Sequence, residues 1–96
     1  RKIAALAEAW KVPVAPHDCT GPVVYTASCH LSLHARNALI QESVRAFYTG
    51  WYTELVTDLP VVTNGEVTVN TKPGLGLELL PGLETRADAI RRVSRR

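Results

Sequence analysis

Two side chains in this chain of 96 residues stand where proton chemistry is done, His17 and Glu42. Each follows a short apolar run, Val12 to Pro16 and Ala38 to Gln41, that reads as a buried parallel strand. Neighbouring parallel strands lie ~5 Å apart, so the two groups can face one pocket. In barrels and open α/β sheets, the carboxyl ends of strands and the loops after them form the active face. Histidine moves protons near neutral pH. A carboxyl beside it can hydrogen-bond a substrate oxygen, or act as a second acid–base group if burial raises its pKa. A loop histidine and a solvated strand-end glutamate fit the same pattern without any chemistry.

Other chemistry-bearing residues form weaker patterns. Cys19 lies two positions after His17, on the same side of an extended segment. Papain-like Cys–His pairs, however, join distant parts of a chain, so no nucleophile is assigned. Cys19 and Cys29 form no CxxC pattern, and reduced thiols in a cytoplasmic protein are expected. His30 and His34 stand four apart on a helix pattern, but no Glu follows the first His, as a zincin would require. Packing of that helix is the expected role, and no metal ligand is assigned in this segment.

The elements that must position these groups follow a rhythm of helix, strand, helix, strand. Ile3, Leu6, Ala7 and Trp10 share one stripe of a first helix, which reads as cut because no N-cap residue precedes Arg1. Pro22 suits the first position of a second helix, with Val23, Ala27, Leu31 and Ala35 as its stripe and Arg36-Asn37 at its end. The alternation implies right-handed βαβ crossovers and a parallel sheet. After Glu42 the rhythm stops. Phe47, Tyr48, Trp51 and Tyr52 make an aromatic segment, a short helix or ordered loop, read as a hydrophobic plug. Asn64-Gly65 between Leu59–Thr63 and Glu66–Val69 is a strong hairpin signal. Pro73 to Leu77 reads as a tight turn with two glycines free to take positive φ. Thr85 and Asp88 form a candidate capping box for a last helix with Ala87, Ile90 and Val93 on its apolar side. Arg91, Arg92, Arg95 and Arg96 then read as its solvated end.

Composition narrows the partners. A hydrophobic fraction of 46% and a charged fraction of 21% are those of a globular chain. A net charge of +2 is too small to imply nucleic acid. No apolar run approaches the ~20 residues of a membrane span, and no secretory leader is read at the start. A barrel of ~250 residues could be represented here only in part.

The residues also carry a resemblance. Ile3 to Ala9, Val12 to His17, Gly21 to Val23, Ala27 to Leu31, Ile40 to Glu42 and Pro73 to Glu78 occur in an order that resembles the C-terminal part of the mandelate racemase branch of the enolase superfamily. Within it, the acid-sugar dehydratases are most similar. The resemblance implies an α/β fold, the last strands and helices of a modified (β/α)8 TIM-like barrel, in residues 1–58. Residues 59–96 would return as a hairpin and helix to complete an α+β capping domain. Val12 to Pro16 would be the seventh barrel strand and Ala38 to Gln41 the eighth.

On that resemblance, His17 matches a seventh-strand acid–base histidine paired with an aspartate from the sixth strand. Glu42 matches an eighth-strand glutamate that contacts the substrate carboxylate or its developing enediolate. The cofactor implied is Mg²⁺, which spreads the enediolate charge, with its carboxylate ligands, the aspartate and the second base lying upstream. The implied activity is a hydro-lyase acting on a small acid sugar, with the rest of the barrel and cap as partners and a homo-oligomer expected. A racemase or epimerase of α-hydroxy acids would use the same residues without β-elimination. A self-sufficient binding module with the hairpin as its exposed edge is the alternative from another class.

Overall fold

The computed structural model describes residues 1–95. Helix α1 spans Lys2–Ala9 and α2 spans Pro22–His34, with Pro22 at the first turn, where its missing N–H costs nothing. Helix α3, Arg45–Tyr48, runs into a 3₁₀ turn over Trp51–Glu54. Strands β1, Val61–Thr63, and β2, Glu66–Thr68, pair antiparallel with Val62 opposite Val67. Asn64 and Gly65 take φ of 53° and 82°, the double positive φ of a type I′ turn that suits the strand twist.

The two apolar runs before His17 and Glu42 meet in parallel as expected, but at a single bridge, Val14 to Ala38. Val14 N–H donates to Asn37 O and Leu39 N–H to Val14 O, both at 2.9 Å. Arg36-Asn37 do not end the helix, since α2 stops at His34; the Asn37 side chain instead donates to Ala4 O and Val12 O, tying the bridge to α1. An antiparallel bridge between Val56 and Leu79 brings the C-terminal part back against the segment that follows the aromatic turn.

The core is small and centres on Tyr25, Cys29 and Tyr52, with Phe47, Tyr48, Leu59, Val67 and Val69 packed around them. Phe47, Tyr48 and Tyr52 of the aromatic segment thus pack against α2 and the hairpin, while Trp51 is exposed. Tyr52 meets Trp51 edge-on at 4.5 Å between ring centroids. The α2 stripe is a correction. The buried face is Pro22, Tyr25, Thr26 and Cys29, while Val23 and Val24 are exposed. This helix has apolar residues on both sides, and the aromatic partners decide which side becomes core.

Helix α1 keeps its stripe, but the stripe faces outward: Ile3 is 83% and Trp10 77% exposed, and only Ala4 is buried. The radius of gyration is 15.1 Å, above the roughly 12.5 Å of a compact domain of this length. No helix among the described residues is long and apolar enough to cross a membrane.

The last helix does not form. Leu83–Thr85 is a single 3₁₀ turn, and the Thr85 hydroxyl donates to Gly82 O instead of capping. Arg86 grips Asp88 through two bonds of 2.9 and 3.0 Å, which takes Asp88 away from the capping-box role. Ile90 and Val93 are exposed, so no burial supports a helix there. Arg91 pairs with Glu84 at 3.0 Å. Arg96 lies outside the described residues.

Candidate active site

His17 and Glu42 come together. His17 Nδ1 lies 2.6 Å from Glu42 Oε2, across 25 positions of sequence. The second ring nitrogen, Nε2, lies 2.8 Å from Cys19 Sγ. These partners assign the tautomer: Nδ1–H donates to the carboxylate, and Nε2 accepts from the thiol. The result is a relay of thiol, imidazole and carboxyl, with the ring oriented at both ends. The i+2 spacing of Cys19 was the available signal for the sulfur contact, and the contact is made although no role was assigned to the residue.

Backbone geometry explains the meeting of the two loops. The Val14–Ala38 bridge sets both runs side by side, and each then leaves the bridge toward the same end. Gln41 ties them further on: its amide donates to Pro16 O at 3.4 Å and to Glu42 O at 2.6 Å, while its carbonyl accepts from Ser32 at 2.9 Å. Gln41 therefore links both loops to α2.

Beneath the pair lies a group that sequence reasoning left without a role. Asp18 is fully buried at 0% exposure. The Tyr52 hydroxyl donates to its Oδ1 at 2.7 Å, and Val44 N–H donates to its Oδ2 at 3.2 Å. Burial first, and then the hydrogen bond to Asp18, push the Tyr52 phenol above the ordinary range. Tyr25, also fully buried, is raised by burial and by its neighbour Cys29. Nothing in the sequence near Asp18 announces burial, because its partners are 26 and 34 positions away.

His30 and His34 do not act as a pair. His30 Nε2–H donates to Leu75 O at 3.2 Å and anchors the Pro73–Leu77 turn, in which Gly74 and Gly76 take φ of 69° and 79°. His34 is exposed. Among the described residues no group of three or more His, Cys, Asp or Glu side chains is placed to hold a metal ion. The two nitrogens of His17 point to opposite partners, which is a relay and not a chelate. The residues present therefore do not themselves make a Mg²⁺ site.

Comparison with known proteins agrees with this arrangement of elements. The family model for the enolase C-terminal domain-like family matches residues 1–83. The chain is 37% identical over 79 residues to a D-xylonate dehydratase of Haloferax volcanii, covering 82% of this chain and 19% of that protein. It is 35% identical over 95 residues to a D-galactonate dehydratase of Xanthomonas campestris, covering 91% and 24%. The chain thus spans about a fifth to a quarter of the length of the curated relatives it matches. Among solved structures, an enolase of the mandelate racemase subgroup from Agrobacterium tumefaciens is 64% identical with a TM-score of 0.80, over 88% of this chain and 23% of that one. An enolase protein from Sargasso Sea environmental sequencing is 51% identical with a TM-score of 0.83, over 94% and 24%. The match over residues 1–83 places the chain in the enolase C-terminal domain-like family, with structural neighbours in the mandelate racemase subgroup and relatives named as sugar-acid dehydratases.

Proposed function

We propose that the chain is the C-terminal segment of a Mg²⁺-dependent acid-sugar dehydratase, in which His17 is an acid–base group and Glu42 contacts the substrate carboxylate or its enediolate. The observation that carries this reading is the 2.6 Å contact between His17 Nδ1 and Glu42 Oε2, made by loops that follow paired parallel runs. The names of the curated relatives supply the substrate class, a sugar acid such as a xylonate or galactonate. In this reading residues 1–58 contribute the last two strands and helices of a (β/α)8 barrel, and residues 59–96 return to a capping domain. The Mg²⁺ ligands lie on other parts of the enzyme, and a homo-oligomeric, cytoplasmic enzyme completes the picture.

The chemistry follows from the groups. Dehydration removes a proton α to a carboxylate and expels the β-hydroxyl with a second proton as water. The enol that remains tautomerises to a 2-keto-3-deoxy acid. Glu42 holds Nδ1, so Nε2 is the nitrogen that exchanges a proton with substrate, either as base or as acid to the departing hydroxyl. Cys19 must yield Nε2 when substrate arrives, since its sulfur occupies that direction. Oε2 of Glu42 orients the imidazole by accepting from Nδ1–H, and its other oxygen, carrying a proton, donates to the substrate oxygen that gains charge.

Incubating the intact enzyme with a panel of acid sugars tests the reading. A 2-keto-3-deoxy product is expected, and inversion without keto product would assign a racemase instead. Replacing His17→Asn should lower kcat by about 10²–10⁴-fold, the usual contribution of a positioned acid–base group, with circular dichroism unchanged. Near-normal turnover in that variant would reject the assignment.

A further inference from the structure

The His17–Glu42 contact joins two loops that leave a single parallel bridge, Val14 to Ala38. Two irregular loops joined upstream by a single bridge and the Gln41 side chain would be free to drift apart at their tips. Yet positioning is what proton transfer needs, and a displacement of about 1 Å can cost ~10²-fold in rate.

Asp18 supplies a tie close to those tips. It follows His17 directly, and the Val44 amide it binds lies two positions after Glu42. One buried carboxyl therefore grips both loops from below, each within two residues of the side chain that does chemistry. Its second oxygen takes the Tyr52 hydroxyl, and Tyr52 is itself fully buried in the cluster that packs on α2 and the hairpin. Hydrogen bonds made in a buried site, away from competing water, are worth more than exposed ones. The connection runs from hairpin to aromatic plug to Asp18, and from there to both loops.

We infer that Asp18 is a positioning residue, which with Tyr52 sets the separation of His17 and Glu42 and transmits the packing of the C-terminal hairpin to them. This rests on the acid–base reading of His17 and Glu42. Asp18 touches neither ring nor substrate and acts only through the backbone it braces. An amide at position 18 can keep both contacts, its oxygen accepting from Val44 N–H and its NH₂ donating to a rotated Tyr52 hydroxyl. An alanine can keep neither.

The experiment is a set of crystal structures and steady-state kinetics of the intact enzyme carrying Asp18→Ala, Asp18→Asn and Tyr52→Phe. In Asp18→Ala, the His17 Nδ1 to Glu42 Oε2 separation is expected to widen from 2.6 Å beyond hydrogen-bond reach. The kcat on the acid sugar should fall about 10²-fold with KM little changed. Asp18→Asn should restore most of both, a rescue that a general loss of stability would not show selectively in kcat. An unchanged separation in Asp18→Ala overturns the inference whatever the activity. A widened separation with unchanged turnover upholds the brace and instead rejects His17 and Glu42 as the reacting groups. Should Asp18→Ala fail to fold, Tyr52→Phe decides: an unaltered separation and kcat there overturn the proposal.

Discussion

His17 and Glu42 meet 2.6 Å apart where two paired parallel runs end. Asp18, in the polar turn after His17, is fully buried, whereas an aspartate in such a turn is ordinarily solvated. Tyr52 and the Val44 amide make its burial tolerable. The cysteines divide in the same way. Cys19 is exposed and touches the imidazole, whereas Cys29 is buried between tyrosines, and burial pushes its thiol up to about 11. Burial favours the neutral thiol, so its contribution to stability is complete below the unfolded value of ~8.5 and disappears as pH rises through about 11. Iodoacetamide at pH 8 should therefore alkylate Cys19 first and leave Cys29 intact until the chain unfolds, as read by peptide mass mapping. In the intact enzyme, turnover should fall in step with Cys19 labelling, because the added group sits on the sulfur beside Nε2. Equal labelling rates for the two thiols would contradict this picture.

Among the elements, those specified by local chemistry came through and those needing a partner did not. The hairpin needs only Asn64-Gly65 and alternating residues, and it forms over Val61–Thr63 and Glu66–Thr68. Helix α2 begins at its proline. Its buried face, in contrast, follows from the position of Tyr52 and Cys29 contacts that no periodicity contains. The last helix does not form in this segment, where Arg86 holds Asp88 and Ile90 and Val93 are exposed. The turn at Gly76 is a place where the side chain itself is the constraint. Its φ is 79°, and an added Cβ would fall 2.1 Å from Asn70 Oδ1, the side chain whose amide donates to Gly76 O. Gly76→Ala should cost about 1–3 kcal/mol through backbone strain, with further loss if Asn70 is displaced. Chemical denaturation of the intact enzyme measures it, and a loss well under 1 kcal/mol would show that the turn relaxes freely.

For the molecule as a whole, the apolar residues outnumber the places to bury them. Ile3 and Leu6 on α1, Trp10 just after it, and Leu39 and Ile40 after the bridge all face outward, a larger apolar surface than a free-standing domain usually shows. The 96 residues expressed alone should bind an exposed-surface dye strongly and associate in light scattering. A monomer with cooperative unfolding and no dye binding would favour the self-sufficient module instead. The sequence by itself determined what is written in nearest neighbours: the helix starts, the hairpin turn, the order of apolar runs, and the two residues placed at their ends. It also carried the family, because the order of its blocks survives in the residues. Only the tertiary structure decided which helix face is core, that Asp18 lies beneath His17 and Glu42, and that the last segment stays irregular. Those outcomes depend on partners tens of positions away, and burial, unlike a turn or a cap, is a property of the surroundings that no single stretch of chain encodes.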